Sequence, residues 1–125
     1  MSGALTIYVP LRTVSTLNVR EHWAARARRA RKQREEVAVA WFMQQCARWP
    51  RLPCDVRLVR IAHRPLDDDN LAGAFKSVRD EVAARLGVDD GSDVVCWSYA
   101  QERGRRGQFG VRIEVSERVE TSPRK

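Results

Sequence analysis

Little in this chain suits oxidation, export or a membrane. Its three cysteines, Cys46, Cys54 and Cys96, are odd in number and widely spaced. They form neither a CxxC zinc pattern nor a disulfide framework, and read as reduced, mostly buried small hydrophobes. No apolar run approaches the roughly 20 residues of a membrane-spanning helix. Met1-Ser2-Gly3-Ala4-Leu5 lacks the basic region and the long apolar stretch of a secretion signal, so cytoplasmic residence is the expectation. No internal repeat or domain linker interrupts the chain. The two histidines, His22 and His63, are isolated. His63 lies four residues before Asp67, and a satisfied strand-end histidine is the expectation there rather than a ligand.

What the chain has is charge, unevenly placed. Lysine plus arginine number 23 against 16 acids, a formal charge of +7 with a pI near 10.1. That balance points to nucleic acid, and less often to an anionic membrane. Against this background seven of the eight aspartates fall between Asp67 and Asp93, and three of them, Asp67, Asp68 and Asp69, are consecutive. With 43% hydrophobic residues over 125 positions, the chain is expected to be one globular domain, removing roughly two-thirds of its unfolded surface from water.

The expected element order is β-α-β-α-β-β. Residues 4–9 alternate as a strand stopped at Pro10, and Ser15-Thr16-Leu17-Asn18 offers caps for a helix running from Val19 to about Arg48. Trp23, Ala27, Ala30, Val37 and Trp41 form its apolar stripe. Pro50 and Pro53 end it. Residues 54–63 read as a second strand and 71–86 as a second helix, with Leu71, Phe75, Val78, Val82 and Leu86 facing the core. Gly87 stops that helix. Residues 93–102 and 108–116 read as two further strands, joined at a hairpin tip by Gly104-Arg105-Arg106-Gly107. From 117 to 125 the chain is polar and is expected to be a flexible tail.

The aspartates sit where a strand ends and a helix begins. Three adjacent ionised carboxylates repel one another, and a divalent cation removes the repulsion. If residues 65–69 stay extended, Asp67 and Asp69 share a face, while Asn70, or Asp69, caps the helix. A helix start also favours acids without any metal. Asp89-Asp90 follows the far end of the same helix, where the dipole disfavours anions. If the next strand lies beside the second, Asp90 can approach Asp67 and Asp69. Oxygen-only ligands suit magnesium, with manganese as the alternative, rather than zinc. One metal and two metals fit equally well. Lys76 is placed to stabilise charge at a phosphate or to orient water, or to pair with Asp80 four residues on.

Asp67-Asp68-Asp69-Asn70-Leu71, then Lys76-x-x-x-Asp80, then Asp89-Asp90, resembles the signature of RusA-type Holliday junction resolvases, a family with many prophage-encoded members. The similarity extends over about residues 5–115, including Ser15-x-x-Asn18, and is most specific over 65–90. It implies an α+β (α/β) single domain over residues 1–116, with a mixed sheet of about four strands packed with two helices. It also implies a magnesium-dependent, structure-selective endodeoxyribonuclease, a homodimer that resolves four-way junctions in recombination and repair by paired symmetric nicks. By position, Asp67, Asp69 and Asp90 become the metal-binding catalytic carboxylates, Lys76 the catalytic lysine, and Asn70 a structural partner of the site. The family's usual lysine position is Gly73 here. Lys76 comes three residues later, as does Asp80, which a three-residue insertion at the helix start explains. Three residues turn about 300° and rise roughly 4.5 Å along a helix, so an irregular first turn, which Gly73 permits, would keep Lys76 within reach of the site, whereas otherwise the insertion moves it away.

Arg26, Arg28, Arg29, Arg31, Lys32 and Arg34 are the expected contacts to the DNA backbone, with Arg105 and Arg106 as a second set. Trp23 and Trp41 are expected in the core, and Trp97 in the core or a dimer interface. A competing reading is a non-catalytic basic DNA-binding module whose acidic turn is structural. A phosphohydrolase acting on small nucleotides has no need of so broad an arginine surface.

Overall fold

The computed structural model describes residues 4–13, 22–44, 51–89 and 91–118. Its elements are β1 (Ala4–Val9), α1 (Trp23–Gln44), β2 (Cys54–Ala62), α2 (Asp68–Ala74), α3 (Lys76–Leu86), β3 (Val95–Arg103) and β4 (Phe109–Glu117). The four strands form one mixed sheet in the order β1-β4-β2-β3. The expected α+β class and approximate element order are therefore present.

The strand order departs from the expected hairpin. β3 runs parallel to β2, while β4 pairs antiparallel with both β2 and β1. The 104–108 connection thus carries the chain past the end of β2 instead of folding β4 onto β3. Its turn is closed by Gln108 N–H donating to the Arg105 carbonyl at 2.9 Å, and Gly107 takes a φ of 83°, which L side chains rarely adopt. Burial explains the choice. Val111, Ile113 and Val115 of β4 are almost fully buried, whereas Trp97 and Tyr99 of β3 are half-buried and Glu102 and Arg103 exposed. The more apolar strand takes the centre of the sheet.

One face of the sheet meets the helices. Leu5, Ile7 and Val9 stand opposite Val115, Ile113 and Val111, which in turn face Val56, Leu58 and Arg60. Val37 and Trp41 of α1, Val78, Val82 and Leu86 of α3, and Phe75 between α2 and α3 close over them. On the open face Arg57 pairs with Glu114 at 3.1 Å, and Arg112 bonds both Glu114, at 2.7 Å, and Glu102. Those hydrogen bonds push the Arg112 pKa upward, Glu102 contributing first.

Three further expectations are corrected. The second helix starts at Asp68 and breaks at Phe75 (φ −94°, ψ 1°), where Phe75 N–H donates to Ala72 O, three residues back. The α1 stripe holds at Val37 and Trp41 but not at its start. Trp23 is 73% exposed and Ala27 is exposed, because the core contacts of α1 lie in its second half. Glu117 ends β4, and Arg118 bonds Asp55 and the Pro53 carbonyl, so both belong to the fold rather than to a tail. Cys54 is buried as expected, whereas Cys96 is exposed on the edge strand. Ser15–Asn18, Cys46, both expected extensions of α1 (19–21 and 45–48) and residues 119–125 lie outside the described residues.

Candidate nucleic-acid interface and acidic site

At the end of β2 the chain turns through His63, Arg64, Pro65 and Leu66 into α2. The Gln101 side chain on β3 grips Leu66 at both backbone groups. Its oxygen accepts from Leu66 N–H at 2.8 Å, and its amide donates to the Leu66 carbonyl at 2.7 Å. This clasp fixes the residue before Asp67.

Asp67, rather than Asn70, is the helix N-cap. Its backbone is extended, and its Oδ1 accepts from the Asn70 backbone N–H at 2.9 Å and from the Asn70 side-chain amide at 2.7 Å. Those two bonds, the backbone one first, hold the Asp67 carboxyl below the ordinary carboxylate range. Asp68 and Asp69 are exposed in the first turn. The expected extended run through Asp69 is thus replaced by helix. Successive side chains there fan about 100° apart instead of alternating across a strand, so Asp67 and Asp69 do not share one strand face. Asn70 donates both bonds to this cap.

Lys76 opens α3. Its Nζ lies 3.3 Å from Asp80 Oδ2, and its side chain is 72% exposed. The helix irregularity comes at Phe75, just before it, and not at Gly73. Lys76 also lines a groove of about 340 Å³ between α1 and the α2–α3 junction, together with Arg26, Arg29, Gln33 and Gly73. The basic run and the lysine therefore meet at one place. Arg26, Arg28, Arg31 and Lys32 are exposed. Arg34 is committed otherwise. Its Nε lies 3.1 Å from the buried Glu81 carboxylate, which also binds Arg85 at 3.2 Å, and this ties α1 to α3. Arg105 and Arg106 are exposed in the turn before β4.

The second acidic segment lies elsewhere in the chain. Because β2 and β3 are parallel, the helices between them run back along the sheet. Contacts mark the path from Leu66 beside Gln101, through Phe75 stacked on Tyr99 at 5.5 Å and Arg79 over the Trp97 ring at 4.7 Å, to Val94 bonded to Cys54. Asp89, whose carbonyl accepts from Ser92 N–H at 3.0 Å, lies at the Cys54 end of β2. Six residues of strand separate that level from the Arg60–Gln101 row beside Leu66, roughly 20 Å at 3.3 Å per residue. Asp90 lies outside the described residues. Among the described residues, no three of His, Cys, Asp or Glu converge as metal ligands.

Sequence reasoning passed over Gln101 and Arg60. The signal for both was a polar residue at a core-facing position of an otherwise apolar strand stripe: Cys54, Val56, Leu58, then Arg60, and Val95, Trp97, Tyr99, then Gln101. No family model matches the chain, and no curated protein matches it. Among the described residues, no helix is long and apolar enough to cross a membrane.

Proposed function

We propose that the protein is a magnesium-dependent endodeoxyribonuclease that cuts branched DNA, resolving four-way junctions as a homodimer. The observation that carries this reading is the exposed run Asp67-Asp68-Asp69 at a helix start, its preceding residue Leu66 clasped by Gln101, within a strongly basic molecule whose arginine-rich α1 meets Lys76. Asp67 Oδ2 and both oxygens of Asp68 and Asp69 accept no hydrogen bond among the described residues. These hard, anionic donors suit magnesium or manganese. Such an ion would polarise a phosphate and supply activated water. Asp67 and Asp69 hold it in this reading, Asn70 orients Asp67, and the arginines of α1 with Lys76 hold the polyanion.

In this reading one chain supplies only part of the site. Asp67 and Asp69 belong to one end of β2, and Asp89 to the other. If the Asp89–Asp90 segment contributes a ligand, it comes from a second copy. A two-fold dimer then carries two composite centres, which suits the two strands cut in a symmetric junction.

The test is a labelled synthetic four-way junction incubated with magnesium or EDTA, beside a linear duplex of the same sequence. Paired nicks near the branch point are expected only on the junction and only with magnesium. Asp69→Asn should abolish cleavage while leaving junction binding intact or tighter, since one charge that repels phosphate is gone. Equal cleavage by Asp69→Asn and wild type sinks the assignment. The competing reading, a non-catalytic binding module, draws on Asp67 serving as a helix cap. It expects tight junction binding, no turnover in either metal, and magnesium acting on thermal stability alone.

A further inference from the structure

A second feature, with no part in the acidic site, lies at the same end of the sheet. A cavity of about 400 Å³ opens there, lined by Arg12, Arg60, His63, Arg64, Arg106 and Phe109 among others. Four of these are arginines, and no carboxylate lines the cavity. Arg60 forms its floor. It stands on the core face of β2, 9% exposed, where the stripe above Leu58 would otherwise call for an apolar residue. Its Nε donates to Thr13 Oγ1 at 2.8 Å and its Nη1 to the Arg64 carbonyl at 2.7 Å, with Gln101 Oε1 at 3.5 Å. Every one of these partners is neutral. Nη2 donates no hydrogen bond among the described residues. A buried guanidinium without a counter-charge is costly unless an anion arrives to compensate it. Burial accordingly draws the Arg60 pKa downward.

We propose that this cavity binds a phosphate of a nucleic-acid strand, with Arg60 as its fixed anchor and Arg12, Arg64 and Arg106 as its rim. Several guanidinium forks around one point match the oxygens of a phosphate, each able to donate two parallel bonds. The cavity exceeds what a phosphate group alone needs. Phe109 borders the remaining space, 40% exposed, with the Arg12 guanidinium 5.9 Å from its ring centre. An aromatic ring beside a phosphate site accepts a stacked base. Position gives the pocket its use. Arg64 precedes Asp67 by three residues, and Gln101 touches both Arg60 and Leu66. A phosphate anchored here sets where the same strand passes the acidic helix start. That last consequence rests on the nuclease reading, whereas strand binding in the cavity does not.

The experiment therefore omits metal. Binding of single-stranded hexathymidylate, the same strand with a 5′-phosphate, and inorganic phosphate is measured by calorimetry in EDTA, using the full chain. Arg64→Ala/Arg106→Ala replaces two exposed rim residues and should weaken strand binding about tenfold or more, with an unchanged melting temperature. Arg60→Met should weaken it at least as much. Arg51→Ala, an exposed arginine at the opposite end of β2, removes one charge as the control and should change binding less than about twofold. The proposal is overturned if the rim double variant binds the strand no worse than the Arg51→Ala control. It is also overturned if inorganic phosphate binds as tightly as the strands, which would make the cavity a free-anion site. A preference for the 5′-phosphorylated strand would place a strand terminus in the pocket; equal binding of the two strands would place an internal phosphodiester there. Absence of junction cleavage by the wild-type chain in magnesium, with strand binding observed, would refute the nuclease reading and leave this one standing.

Discussion

If Asp67 and Asp69 share a metal with the Asp89–Asp90 segment, two dead variants should revive one another. The relevant lengths differ by a wide margin. Ligand oxygens sit about 2.1 Å from magnesium, whereas roughly 20 Å of strand separates the level of Asp89 from that of Leu66, the residue before Asp67, in one chain. No side-chain rotamer spans that gap. Asp69→Asn alone and Asp90→Asn alone should each be inactive, because both sites of each homodimer carry a lesion. Mixed and allowed to exchange subunits, half of the dimers pair one variant with the other. In such a heterodimer both lesions fall in one composite site, and the other is wild type in every ligand. One intact site in half of the dimers gives about one quarter of wild-type nicking. The products should be single nicks rather than paired ones, since each active dimer cuts one strand. The assay is a labelled junction on a denaturing gel, with exchange verified by co-purification of differently tagged copies. No activity in a mixture whose exchange is proven would refute the two-chain site.

Other tests bear on the parts. Asn70→Ala removes the second of the two bonds that lower the Asp67 pKa. Because that folded-state pKa lies below the unfolded one, ionised Asp67 supports the fold above the ordinary carboxylate pKa, about 3.9, and the support fades as pH falls through the folded value. The variant should move the Asp67 titration part of the way up, since the larger backbone bond remains; an unshifted carbon-13 titration would contradict the assignment. Gly87 ends α3 at φ 76° with its N–H donating to Ala84 O at 3.1 Å. An added methyl there meets nothing within 4 Å, so Gly87→Ala should cost about 1 kcal/mol through backbone conformation alone, read from the urea midpoint. No shift in that midpoint would deny the left-handed cap. Glu81→Ala leaves Arg34 and Arg85 without their shared carboxylate and should cost about 1–3 kcal/mol. A double-mutant cycle with Arg34→Ala that returns no coupling would show the α1–α3 tie to be idle.

The apolar periodicities carried most of the fold. Leu71, Phe75, Val78, Val82 and Leu86 are all buried at their helical spacing, and Ile7 and Val9 at their strand spacing. Topology was harder to read, because a short glycine-bounded link between two strands has the same sequence whether it makes a hairpin or crosses a third strand. The burial contrast between Val111-x-Ile113-x-Val115 and the Gln101-Glu102-Arg103 end of β3 carries the distinction, and it becomes decisive only once all four strands compete for the centre. For the acidic site, the types of group were legible, but not that Asp67 and Asp89 lie at opposite ends of β2. Asp67 and Asn70 both favour a cap, and the Gln101 grip on Leu66 comes from a residue 35 positions away. The separation of Asp89 from Asp67 follows from the parallel pairing of β2 and β3, since one helical return between parallel strands places the end of the first and the start of the second at opposite ends.

β4 also governs how the molecule can come into being. Among the described residues β4 is the last strand, and it is the one that joins β1 to the rest, pairing Ala4 with Ser116 and Val9 with Val111. Until it arrives, β1 has no neighbour and β2 keeps an open edge. Such distant pairing makes for slow folding and long exposure of strand edges. During synthesis the sheet therefore closes only once β4 has been made, and a nascent chain halted before Phe109 would carry two bare edges that the finished sheet covers, each a template for aggregation.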